Sequence, residues 1–133
     1  MIDGTKTFSS FAVKDLAAAE EFYGQTLGLS VKQDENMGLL QLDIGSGKQV
    51  MIYPKPDHEP ATYTVLNFPV NDIDAAVDEL TKKGVEFITY DSEWIKTDEK
   101  GIARSDGKGP NIAWFTDPAG NILSVIEADP SQP

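Results

Sequence analysis

Two stretches of the chain carry the same order of apolar and polar positions. Phe11-Ala12-Val13-Lys14-Asp15-Leu16-Ala17-Ala18-Ala19 matches Phe68-Pro69-Val70-Asn71-Asp72-Ile73-Asp74-Ala75-Ala76 at a constant offset of 57 residues, sharing Phe-x-Val-x-Asp, an aliphatic residue and two alanines. Each copy reads as a strand running into a helix. Asp15 and Asp72 stand as N-caps, where a short carboxylate accepts from free amides of the first turn and meets the positive end of the helix dipole. Leu16, Ala19, Phe22, Tyr23 and Leu27 recur at helical spacing, as do Ile73, Ala76, Val77 and Leu80. Gly28 and Gly84 then stop the two helices.

A short strand follows each helix, at about Leu29 to Gln33 and Val85 to Tyr90, and each half ends in a hairpin. Leu39 to Ile44 turns at Gly45-Ser46-Gly47 into Gln49 to Tyr53, and Ile112 to Thr116 turns at Asp117-Pro118-Ala119-Gly120 into Ile122 to Glu127. Asp91 to Pro110 reads as a long polar loop or lid with local structure around Trp94 and Ile95. The expected fold class is α+β: one domain over residues 1–133, built from βαβββ modules at 5–55 and 61–128 with a proline-stiffened linker at 54–60. The Asp129 to Pro133 tail reads as disordered.

The 133 residues, 40% hydrophobic and 25% charged, suit one globular domain with its own core. Eleven basic against 22 acidic residues leave a net charge of -11, which argues against nucleic acid or an anionic membrane as partner. The absence of cysteine excludes disulfides, thiolate nucleophiles and zinc–cysteine sites. Neither a signal peptide nor a membrane-spanning run is evident, so the expected location is cytoplasmic.

The two βαβββ halves, the Phe22-Tyr23 pair ahead of Leu27-Gly28-Leu29, and Phe115-Thr116-Asp117-Pro118-Ala119-Gly120-Asn121 before a final apolar strand resemble the vicinal oxygen chelate superfamily. That group includes glyoxalase I, bleomycin-resistance proteins, fosfomycin-resistance enzymes and extradiol dioxygenases. The resemblance implies paired modules whose curled mixed sheets form a cup, with the helices outside. It also implies a divalent metal held by side chains from the first and last strands of each half. The internal repeat aligns Phe8 with Val65 and Met51 with Ser124 at those positions, where the metal-dependent relatives carry His, Gln or Glu. Phe, Val, Met and Ser offer only a hydroxyl and a weak thioether, so no metal and no cofactor are expected. Phe8, Met51, Val65 and Ser124 are expected to converge on one cavity.

Period-two alternation gives the other cup-facing positions. These are Ser10 and Ala12 from the first strand, Gln49 and Tyr53 beside Met51, Asn67 beside Val65, and Ile122 and Ile126 beside Ser124. Gln41 and Trp114 join them through the repeat, whereas Phe11, Val13, Ala113 and Phe115 belong to the helix side. An apolar wall with isolated amide and hydroxyl groups suits a small-molecule site, although the same residues also suit a closed core. Trp114 offers a flat face for a planar or cationic guest, and Trp94 reads as a lid residue or a surface tryptophan.

Other motifs carry less. His58, the lone histidine, sits among Asp57, Glu59 and two prolines and reads as an exposed linker residue. Asp78 with Lys82 and Glu79 with Lys83 read as i,i+4 pairs on a solvated helix face. Gly45-Ser46-Gly47-Lys48 and Gly107-Lys108-Gly109 lack the phosphate-loop context. The leading functional reading is a metal-independent binding protein that sequesters an organic or cationic compound and forms a homodimer. The alternatives are a glyoxalase-like lyase or isomerase, or a dioxygenase-related enzyme, with a displaced metal site at Asp57, His58 or Glu59 or with Tyr53 or Glu127 as acid or base, and a protein with only structural duties.

Overall fold

The computed structural model describes residues 1–127, so the tail expected to be disordered, Asp129 to Pro133, lies outside the described residues. It divides into two compact units, Met1–Pro60 and the remainder from Ala61. In the first unit, strands β1 (Ser9–Val13), β2 (Ser30–Asp34), β3 (Leu39–Asp43) and β4 (Gln49–Pro54) form a sheet in the order β1-β4-β3-β2. In the second, β5 (Thr64–Val70), β6 (Ile102–Ala103), β7 (Asn111–Thr116) and β8 (Ile122–Glu127) form a sheet in the order β5-β8-β7-β6. The pairing is mixed in the same way in both. The first strand runs parallel to the last, which is antiparallel to the one before it. The α+β class and the two-module architecture follow directly.

Each parallel pair is bridged by a helix that the repeat motif caps. Asp15 Oδ1 accepts from the amides of Ala17 and Ala18, starting α1 (Leu16–Glu21), and Asp72 Oδ1 accepts from the amide of Ala75, starting α2 (Ile73–Lys82). Such a cap contributes about 1 kcal/mol. α1 is shorter than its periodicity predicts, because Phe22–Thr26 continue as a π-helical turn. The amide of Leu27 then reaches back to the Phe22 carbonyl at 2.9 Å, and Tyr23 remains fully buried with its ring against Phe11 and Phe22. Alternation along the strands puts Val13, Leu40, Leu42, Val50 and Ile52 in one core and Ala113, Phe115, Leu123 and Val125 in the other.

The expected strand at Val85 to Tyr90 does not form as a continuous element. Phe87 makes one isolated bridge to Phe115, the Ile88 amide donates to the Trp114 carbonyl, and the next edge positions are taken by β6, where Ile102 pairs with Ala113 and Ala103 with Ile112. The edge strand is thus interrupted by an excursion of the chain that leaves at Ile88 and returns at Ile102. Local bonding orders that excursion: the backbones of Asp91 and Lys96 form an isolated antiparallel bridge, Ser92 Oγ accepts from the Ile95 amide, and Thr97 Oγ1 accepts from the Tyr90 amide.

An ion network fastens its end to α2. Arg104 pairs with Asp74 at 2.8 Å and with Asp98 at 2.9 Å, and Lys100 lies 3.0 Å from both Asp74 and Asp78. The expected Glu79–Lys83 pair is present at 3.7 Å. Asp78, however, pairs with Lys100 rather than Lys82, because the returning segment brings a second ammonium within reach. The region from Asp91 to Pro110 is accordingly a fastened strap, not a free loop.

Gly101 shows how tightly the strap is seated. Its φ is +88°, and a Cβ there would lie 2.8 Å from Phe87 Cβ. Gly101→Ala is therefore expected to destabilise the chain by about 2 kcal/mol or more in urea unfolding, whereas Gly107→Ala, with φ +82° and open space around it, should lose only the smaller backbone contribution. Equal losses for the two variants would show that the strap is loosely packed.

Candidate functional site

In the first unit the non-helical sheet face is built in cross-strand rows. Ser10, Met51 and Gln41 occupy one row across β1, β4 and β3, and Ala12 pairs with Tyr53. Gln49 begins β4, and Phe8 lies just outside β1, one residue before its start. Phe8 is 60% exposed and Tyr53 38% exposed, so this face carries large side chains that the unit's own core does not cover. A pocket of about 690 Å³ opens here, with Phe8, Gln41, Gln49 and Met51 together in its lining. Ser10, Ala12 and Tyr53 lie outside that lining.

In the second unit Asn67, Ser124 and Trp114 form the equivalent row across β5, β8 and β7. Ser124 is fully buried, and its hydroxyl donates to Asn67 Oδ1 at 2.6 Å. The Trp114 indole donates to Thr64 Oγ1 at 3.1 Å, and Tyr90 from the strap meets the indole edge to face at 5.4 Å. A register shift between Thr64 and Leu66 interrupts the simple alternation at Val65. Thr64, paired with Ile122, is therefore the β5 residue that bonds Trp114, and counting back from Asn67 by twos misses it. Ala113 and Phe115 are fully buried, while Ile122 and Ile126 are half-buried. Trp94 is 87% exposed.

The four positions expected to match metal ligands do not fit a divalent ion. Phe8 and Val65 bring no donor atom, Met51 brings a thioether, and the Ser124 hydroxyl is spent on Asn67. Among the described residues no three His, Asp or Glu side chains gather where they could hold a metal ion. The displaced-site candidates are scattered as well. Asp57 is paired with Lys55 at 2.8 Å. His58, expected to be exposed, is half-buried, and its Nε2 is enclosed without a hydrogen-bond partner, while its amide donates to the Lys55 carbonyl in a turn of the linker. Glu127 is occupied by structure: Oε2 accepts from the Ile73 amide at 2.8 Å and Oε1 from Asn111 Nδ2 at 3.0 Å, which joins β8 to the start of α2.

The Asp117-Pro118-Ala119-Gly120-Asn121 motif is likewise architectural. Asp117 Oδ1 accepts from the amides of Ala119 and Asn121, and Oδ2 from Asn121 Nδ2, all at 2.9–3.0 Å, with both residues buried. That carboxylate sets the β7–β8 turn and hence the register that puts Trp114 beside Ser124.

This arrangement belongs to a class of two-module α+β proteins, and the comparisons identify it. The profile of the Glyoxalase/Bleomycin resistance protein/Dioxygenase superfamily matches residues 7–125, and the chain belongs to that superfamily. A glyoxalase family protein from Bacillus anthracis is 23% identical, with 96% of this chain and 99% of that chain covered and a TM-score of 0.67. A genomically encoded fosfomycin resistance protein from Listeria monocytogenes is 18% identical over 96% and 94%, with a TM-score of 0.68. An antibiotic binding protein from Streptomyces sp. CB03234 is 21% identical over 96% and 99%, with a TM-score of 0.62. At these identities the structural likeness establishes the fold. No curated protein matches significantly. No helix among the described residues is long and apolar enough to cross a membrane.

The strap that delivers Tyr90 to Trp114 is electrostatically fastened, which gives it a pH signature. Asp74 is held well below the usual carboxylate range by its hydrogen bonds from Arg104 and then Lys100. Burial opposes the charge on Asp98, yet the Ile102 amide, Arg104 and the Lys100 amide together keep its pKa lowered. Depressed folded values mean that this contribution is complete above the unfolded carboxylate pKa of 3.8 and is lost as pH falls through the lower folded values. Asp74→Asn should cost roughly 0.5–1 kcal/mol at neutral pH, given the solvent exposure of the pairs. The difference from the native chain should shrink in urea titrations below pH 3.8. A difference independent of pH would assign the effect to something other than the ion network.

Proposed function

We propose that this chain is a small-molecule-binding member of its superfamily, that the non-helical faces of its sheets hold an organic guest, and that no divalent metal serves as reagent there. The observation that carries the reading is the replacement of the expected ligand set by Phe8 and Met51 in the first unit, whose pocket is also lined by Gln41 and Gln49, and by Val65 and a hydrogen-bonded Ser124 in the second. Phe8, Met51 and the two amides bind by desolvation and orientation, and they supply no Lewis acid. The antibiotic binding protein of the same fold supports this reading. The domain spans the whole chain as two modules, acts in the cytoplasm without a cofactor, and works as a homodimer. The exposed Phe8 and Tyr53 of the first sheet favour further covering by a second copy.

Metal analysis of the purified chain together with a thermal-shift screen of small organic molecules tests the reading. Sub-stoichiometric zinc, nickel, iron and manganese, with saturable stabilisation by a subset of compounds, are the expected results. Stoichiometric tightly bound metal would overturn it. Light scattering should give twice the chain mass, and a monomer at all working concentrations would refute the dimer. For compounds that stabilise, Trp114→Ala should weaken binding by about 1 kcal/mol or more. Quenching should persist in the Trp94→Phe chain, which retains Trp114. A response only from Trp94 would remove Trp114 from the binding surface.

A further inference from the structure

The pocket of the first unit has a charge character opposite to that of the chain. The sequence carries 22 acidic and 11 basic residues. Nevertheless the pocket lining includes Lys6 and Lys48 and no aspartate or glutamate. The pocket in the second unit, at α2, follows the general composition, with Asp78, Glu86 and Glu99 against Lys100. Among the described residues neither Lys6 nor Lys48 has an ion-pair partner, in contrast to Lys55, Lys83, Lys100 and Arg104. The carboxylates closest in sequence are committed elsewhere. Asp3 accepts from the amide and hydroxyl of Thr5, and Asp43 accepts from the Gly45 amide.

Resting on the small-molecule reading above, we propose that the first-unit pocket selects organic anions, an apolar body carrying a carboxylate, sulfonate or phosphonate group, over cations. Lys6 and Lys48 attract the charged group, Gln41 and Gln49 supply neutral hydrogen bonds, and Phe8 and Met51 pack the body. The net charge of -11 acts at long range, where salt screens it beyond about 10 Å. The two ammonium groups act at contact, where charge-assisted hydrogen bonds form. Local charge therefore decides which guest is retained, and the overall charge only slows the approach of an anion.

A matched pair of fluorescent compounds tests this with the full chain: 1-anilinonaphthalene-8-sulfonate and its uncharged counterpart N-phenyl-1-naphthylamine, which share an aromatic body and differ by the sulfonate. Lys6→Gln and Lys48→Gln are each expected to weaken the sulfonated compound roughly threefold to tenfold and to leave the uncharged one within about twofold. Thr7→Glu, which places a carboxylate in the same lining, should do the same, and Lys82→Gln on α2 should change neither. If the sulfonated compound responds no more to Lys6→Gln and Lys48→Gln than to Lys82→Gln, the anion preference is wrong while the small-molecule site stands. If neither compound binds saturably, or if Phe8→Ala and Met51→Ala leave both unchanged, the site itself fails and the preference with it.

Discussion

Covering only one face of each sheet is the constraint on which the rest of this structure depends. A parallel pair such as β1 with β4, or β5 with β8, needs a crossover, and the crossover here contains a single helix. One helix covers one face. The strand positions beneath it must be apolar and closely packed, as Leu42, Ile52, Phe115 and Leu123 are. The alternate positions are released from that requirement, and they carry Gln41, Gln49, Asn67 and Trp114, whose polar groups would be costly in a closed core, together with a buried Ser124 whose hydroxyl is satisfied by Asn67. The candidate binding surface is therefore a consequence of topology before it is a consequence of particular residues.

The two units meet this constraint differently at their edges. In the first, β2 is a complete five-residue strand. In the second, the corresponding edge is interrupted, and the chain from Ile88 to Gly101 leaves the sheet and is drawn back by Arg104, Lys100 and the carboxylates of α2 and Asp98. Because those pairs remain partly exposed, each contributes little alone. The fastening comes from their number and from the tight contact at Gly101. Its consequence for the site is Tyr90, which the strap sets against the edge of Trp114.

Superfamily membership does not transfer chemistry to this chain. The turn from Asp117 to Asn121 and the Phe22-Tyr23 pair serve the hairpin and the core respectively, so they report the fold. Phe8, Met51, Val65 and Ser124, the four positions that the internal repeat and the family resemblance nominate as ligands, carry side chains whose donor chemistry does not suit a divalent ion.

The internal repeat and the two capping aspartates were legible in the amino-acid order, because capping is a local property of the chain. So were the hairpins, since Gly and Asp-Pro turns act within a few residues. The fate of Val85 to Tyr90 was not legible. Its residues suit a strand, but whether they pair with β7 depends on Ile102, Asp74 and Arg104, which lie far along the chain. The shift at Val65, the pairing of Asp78 with Lys100 and the enclosure of His58 Nε2 belong to the same class. The basic character of the first-unit pocket does too, since Lys6 and Lys48 line one pocket only when β1 pairs with β4. Local order determined the elements and their faces, and tertiary structure decided the partners, because a charge or a strand edge binds whatever the fold brings within a few ångströms.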